Sequence, residues 1–154
     1  MRHEVTVAIP APAAVAWAVL TDLERWPSWT ASMREVAINE PLAVGAIVRI
    51  RQPKLPTARW TVTALDPGRS FTWESTAPGL RTVAHHTVTP NGDATSRLVL
   101  SIEQTGAVGR MLGLVYGGLT RRYVQMEADG LAAEAARRAQ GEQGQQHPGP
   151  SAAP

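Results

Sequence analysis

Residues 97–126 read RLVLSIEQTGAVGRMLGLVYGGLTRRYVQM. The apolar period changes inside this stretch. Leu98, Leu100 and Ile102 recur every second residue, the spacing of a strand with one buried face. Beyond Gly106, Leu112, Tyr116, Leu119, Tyr123 and Met126 recur at three- and four-residue intervals. That is one stripe of a helix, with Val115 at its edge and Arg110 and Arg121 pointing the opposite way. The helix is expected from about Val108 to Arg138. At ~1.5 Å per residue it spans about 45 Å, long enough to cross a whole sheet.

Upstream, short period-two segments alternate with turn signals. Met33 to Asn39 carries Val36 and Ile38. Ala46 to Gln52 carries Val48 and Ile50. Arg59 to Leu65 carries Trp60 and Val62 and ends at Asp66-Pro67-Gly68. Ser70 to Ser75 carries Phe71 and Trp73. Leu80 to Thr89 carries Ala84, His86 and Val88 and ends at Asn91-Gly92. With Arg97 to Gln104 these make six strands, and Val5, Val7 and Ile9 open the chain with a seventh. Tight connections make antiparallel neighbours. Between the first two strands, Pro12 can start a short helix over Ala13 to Leu20. Thr21-Asp22 looks like the cap of another short turn, closed at Trp26-Pro27 because the residue before proline avoids the α region.

The whole reads as one α+β domain over residues 1–138 of the 154. Residues 139–154, AQGEQGQQHPGPSAAP, are expected to form a disordered tail. Hydrophobic residues make up 44% of the chain, enough for a core. There is no cysteine, so disulfides and thiolate chemistry are excluded. The net charge is only +2, and the arginines are scattered, which argues against nucleic-acid binding. No apolar run is long enough for a membrane span, and a cytoplasmic protein is the default expectation. Composition leaves the oligomeric state, monomer or dimer, open.

The order strand, two short helices, six strands, long terminal helix resembles the START/Bet v 1-like superfamily, in particular its bacterial polyketide cyclase/dehydrase-like branch. The residues carrying the resemblance are Ile9-Pro10-Ala11-Pro12 with Val15 and Trp17, Leu20-Thr21-Asp22, Trp26-Pro27-Ser28-Trp29, Leu65-Asp66-Pro67-Gly68, Phe71-Thr72-Trp73 and Gly106. The resemblance implies a helix-grip fold, a curved seven-stranded antiparallel sheet wrapped around the terminal helix. It also implies a cavity for a small hydrophobic molecule such as a lipid or polyketide.

Strand parity aims Trp60, Val62, Phe71, Trp73, Ala84, Leu98 and Leu100 at that cavity. The helix stripe adds Leu112, Tyr116, Leu119, Tyr123 and Met126, and Trp29 and Met33 complete the expected walls. His86 shares parity with Ala84 and Val88, so it also points inward, with His85 outside. An inward imidazole, with an ordinary pKa of ~6.5, is a candidate proton shuttle or an ordinary core histidine. Glu74 and Glu103 have the opposite parity, so no strand carboxylate faces it. A phenol such as Tyr123 can hold a ligand carbonyl. Members of the resembled family often place an arginine in the cavity. Here Arg59 and Arg81 have outward parity, and the inward positions from Trp60 read Trp60, Val62, Ala64. Gly109, Gly113 and Gly117 loosen the first turns of the terminal helix. No metal cluster, phosphate loop or dinucleotide motif is present, so no metal and no cofactor are expected.

Three functions remain open on sequence alone. The first is binding of a small hydrophobic or aromatic ligand. The second is a cofactor-independent cyclase, aromatase or dehydratase using His86 and Tyr123. The third is a protein-interaction module without a working cavity.

Overall fold

The computed structural model describes residues 1–145; the side chains of residues 112, 113 and 145 and everything beyond Gln145 lie outside the described residues. The elements follow in the order β1 (Arg2–Ile9), α1 (Ala13–Thr21), a 3-10 helix (Leu23–Ser28), β2 (Glu35–Ile38), β3 (Ile47–Arg51), β4 (Ala58–Asp66), β5 (Ser70–Ala77), β6 (Leu80–Pro90), β7 (Ser96–Thr105) and α2 (Ala107–Gln145). All seven strands belong to one antiparallel sheet of order β1-β7-β6-β5-β4-β3-β2. The fold is the helix-grip arrangement, with α2 lying in the concavity of the sheet.

Two elements differ from expectation. The 3-10 helix runs on through Pro27 to Ser28. A 3-10 turn asks only for an i to i+3 bond, and the Trp29 amide donates to the Trp26 carbonyl without needing a proline N–H. Helix α2 continues to Gln145, past the expected boundary at 138. Ala139 is buried, so the helix stays packed one residue past that boundary. Residues 146–154 of the expected tail lie outside the described residues.

The core fills unevenly along α2. Its C-terminal half presents Ala128, Leu131, Ala135 and Ala139, all buried, to Ala16, Val19 and Leu20 of α1. Small side chains let the two helices approach closely. At Gly130 the same helix also closes on the residue that follows the 3-10 helix. A Cβ there would sit 2.5 Å from the Trp29 carbonyl oxygen. The junction of β7 and α2 is Gly106, whose φ of +98° suits glycine and whose Cβ would meet the Gly79 carbonyl oxygen. That same carbonyl accepts the Val108 amide and so caps the first turn of α2. Anchored at Gly106 and packed at Gly130, the helix stands off the sheet between them.

Strand β4 carries a β-bulge between Val62 and Ala64. The extra residue turns Ala64 outward, where it is exposed, and brings Leu65 inward opposite Phe71. The expectation of an inward Ala64 is therefore corrected. Arg59 precedes the bulge and keeps its outward parity.

Candidate functional site

Between α2 and the sheet lies a cavity of about 640 Å³, within the range of small-molecule sites. Trp60 and Trp73, on neighbouring strands, form one wall, with ring centroids 5.4 Å apart. Met33, Ala84 and Leu100 continue it, and Tyr116, Tyr123 and Glu127 face it from α2. The lining turns exposed at Tyr116 and at Lys54, Pro56 and Thr57 of the β3–β4 loop, which marks the mouth.

His86 is buried at the cavity wall. It faces Phe71 directly across β5 and β6. The two rings stack at 4.3 Å with an interplanar angle of 13°, and Trp73 meets the imidazole edge-on at 5.1 Å. Strand parity thus aims the imidazole inward, and the aromatic clamp fixes its plane.

A carboxylate meets it from the helix. Glu127 Oε1 lies 3.3 Å from His86 Nε2, and the two side chains are 10% and 4% exposed. The strands supply no partner, as parity indicates: Glu74 faces outward and bonds Arg81 in a bidentate pair. That pair, with the Arg81 hydrogen bond as main cause, holds the Glu74 carboxyl below its ordinary range. His86 Nδ1 is buried without a hydrogen-bond partner. The arrangement sets an imidazole nitrogen within hydrogen-bond reach of one carboxylate oxygen and leaves the other carboxylate oxygen without a protein partner among the described residues.

Tyr123 takes a different part from the one expected. Its hydroxyl donates to the Pro53 carbonyl. The phenol proton is thereby committed to the β3–β4 loop, and Tyr123 latches that loop to α2 beside the mouth. A bond to a ligand carbonyl would require this latch to open.

Eight of the expected site residues line the cavity: Met33, Trp60, Trp73, Ala84, His86, Leu100, Tyr116 and Tyr123. Val62, Phe71 and Leu98 face the same way but are packed solid in the core. Trp29 lies off the lining, packed against Trp26 and Gly130, with its Nε1 unpartnered. Leu119 and Met126 are half-buried and lie off the lining. The side chain of Leu112 lies outside the described residues. Sequence reading missed Glu127. Its signal was the four-residue step from Tyr123, which puts a carboxylate on an otherwise apolar and aromatic face.

Among the described residues no three His, Cys, Asp or Glu side chains gather to hold a metal. Among them, too, no helix is long and apolar enough to cross a membrane.

The chain matches a family model described as polyketide cyclase / dehydrase and lipid transport over residues 2–140. No curated protein matches it by sequence. Solved structures share its fold. The Zhui aromatase/cyclase from Streptomyces sp. R1128 is 22% identical with a TM-score of 0.72, covering 90% of this chain and 94% of that one. A Thermus thermophilus protein is 16% identical with a TM-score of 0.73, covering 90% and 99%. A norcoclaurine synthase from Thalictrum, bound to a transition-state analogue, is 13% identical with a TM-score of 0.68, covering 90% and 95%. At such identities the likeness is one of fold.

Proposed function

Because this chain belongs to the polyketide cyclase / dehydrase and lipid transport family, we propose that its cavity binds a hydrophobic, aromatic or polyketide-like small molecule and that His86 and Glu127 act on it as a general acid/base pair. The reaction class is cofactor-independent cyclisation or dehydration. The observation that carries it is the 3.3 Å contact between His86 Nε2 and Glu127 Oε1 on the wall of a cavity of about 640 Å³.

The physical case has three parts. Trp60 and Trp73 offer flat apolar surface to a ring system, each with one N–H donor. A carboxylate on the wall can take a proton from a carbon activated by carbonyls. The paired imidazole keeps that proton within the site for return to an oxygen that enolises or leaves. Burial excludes bulk water, which strengthens each of these interactions.

Binding does not depend on turnover. A carrier would use the same indole wall and leave the pair silent. Ala84 lies opposite Trp73 across β5 and β6 and lines the cavity, so Ala84→Trp fills the space where the ligand is placed. Tryptophan quenching by a polycyclic aromatic ketone is expected to saturate in the native chain and to weaken more than about tenfold in Ala84→Trp. Equal quenching in both would mean that the ligand binds outside the cavity.

A further inference from the structure

The β3–β4 hairpin has a one-sided charge. From Pro41 to Leu65 the sequence holds Arg49, Arg51, Lys54 and Arg59 and no Asp or Glu. Arg49 lies directly opposite Arg59 in the strand register. Val48 and Ile50 point into the core, so Arg49, Arg51 and Arg59 share the outer face, where all three are exposed. Like charges placed directly opposite on neighbouring strands repel. Among the described residues, the one ion pair in this group is Arg51 Nε to Glu35 Oε2 at 3.6 Å; Arg49 and Arg59 have none.

Arg49 and Arg51 border a second hollow. A cleft of about 240 Å³ lies between Glu35, Arg49, Arg51 and Thr57. Thr57 also lines the large cavity, as do Lys54 and Arg59. The cationic cleft and the apolar cavity therefore meet at Thr57, on the loop that forms the mouth.

We propose that the ligand is amphipathic: an apolar body in the cavity and an anionic end, phosphate or carboxylate, held at the mouth by Arg49, Arg51 and Arg59. This rests on the cavity reading above. Guanidinium forks match the paired oxygens of phosphate and carboxylate. Such an anion relieves the repulsion between Arg49 and Arg59, and Thr57 adds a hydroxyl donor at the junction. Glu35, paired to Arg51, closes the far side of the cleft.

The test compares decyl phosphate with decanol, titrated into the full chain below micellar concentration and read by cavity tryptophan fluorescence. The apolar part is the same in both probes. The phosphate is expected to bind at least about tenfold more tightly, with the advantage shrinking as salt rises. The double variant R49Q/R59Q brings decyl phosphate down to the affinity of decanol, with folding verified by thermal melting. Arg97→Gln, exposed on β7, keeps the preference. Inorganic phosphate added in excess erases the advantage. Equal affinity of the two probes in the native chain overturns the inference, and so does a preference that survives R49Q/R59Q. Arginine NMR shifts with inorganic phosphate, combined with no gain for decyl phosphate over decanol, make the cleft a separate anion site and also overturn it. Quenching by neither probe overturns the cavity reading, and this inference with it.

Discussion

Glu127 Oε1 on α2 meets His86 Nε2 on β6 at 3.3 Å, and this contact ties the helix to the sheet at the cavity wall. It has a structural consequence apart from any chemistry. His86→Ala leaves the Glu127 carboxylate enclosed without its partner and removes the ring stacked on Phe71. Breaking a buried pair from one side costs about 3 kcal/mol. Urea unfolding should show a loss of that order, and His86→Ala/Glu127→Leu should recover part of it. An unchanged midpoint for His86→Ala would show that the contact adds nothing to stability.

Gly130 sets how closely α2 approaches Trp29. The added methyl of Gly130→Ala would lie 2.5 Å from the Trp29 carbonyl oxygen and 3.0 Å from its ring. Backbone does not yield cheaply, so the overpacking costs about 1–3 kcal/mol despite the better helix propensity of alanine. Gly118 has nothing within 4 Å of an added Cβ, so Gly118→Ala should raise the melting temperature by a few degrees. Thermal melts of the two variants that shift the same way would contradict this placement of the helix.

Tyr123 holds the β3–β4 loop through the Pro53 carbonyl. Tyr123→Phe removes that bond while keeping the ring. The expected cost is about 1 kcal/mol of stability, together with faster ligand entry and exit. Stopped-flow fluorescence separates the rates. If only the equilibrium affinity changes, with association unaltered, the latch does not gate the mouth.

Much of this was legible in the sequence, and the misses have physical causes. Period-two alternation located every strand, because one face of each is buried. The rotation of α2 was less legible. A stripe drawn through Leu119 and Met126 is about one residue away from the face that lines the cavity, which runs through Tyr116, Thr120, Tyr123 and Glu127. Packing of Ala128, Leu131 and Ala135 against α1 sets that rotation, and no local pattern encodes it. The bulge in β4 reverses parity without any sequence mark. The last turns of α2 read as tail because Gly141 and Gly144 interrupt them, yet Ala139 docks on the core.

Acid should loosen the C-terminal half of α2 through Glu134. Burial pushes the Glu134 carboxyl up, and hydrogen bonds from Arg138 and Arg137 outweigh it, so the group sits below the ordinary carboxylate range. A folded-state value below the unfolded one adds stability above the ordinary range, and that stability is lost as pH falls through the folded value. Arg138 also reaches Asp22 at the end of α1. Urea midpoints measured from about pH 6 down to about pH 3 should fall less steeply in Glu134→Gln than in the native chain. Parallel curves would assign the acid sensitivity elsewhere.

In the proposed function, His86 and Glu127 act on a ligand held in the cavity. The most direct measurement is single-turnover conversion of a poly-β-carbonyl aromatic by the native chain and by Glu127→Gln, with binding followed in the same samples through Trp60 and Trp73. A cyclised or dehydrated product is expected from the native chain. Glu127→Gln is expected to bind within about threefold and to react at least about a hundredfold more slowly. Equal rates in the two proteins, or saturable binding by the native chain with no conversion across a broad set of such compounds, would contradict the acid/base role and leave a binding protein.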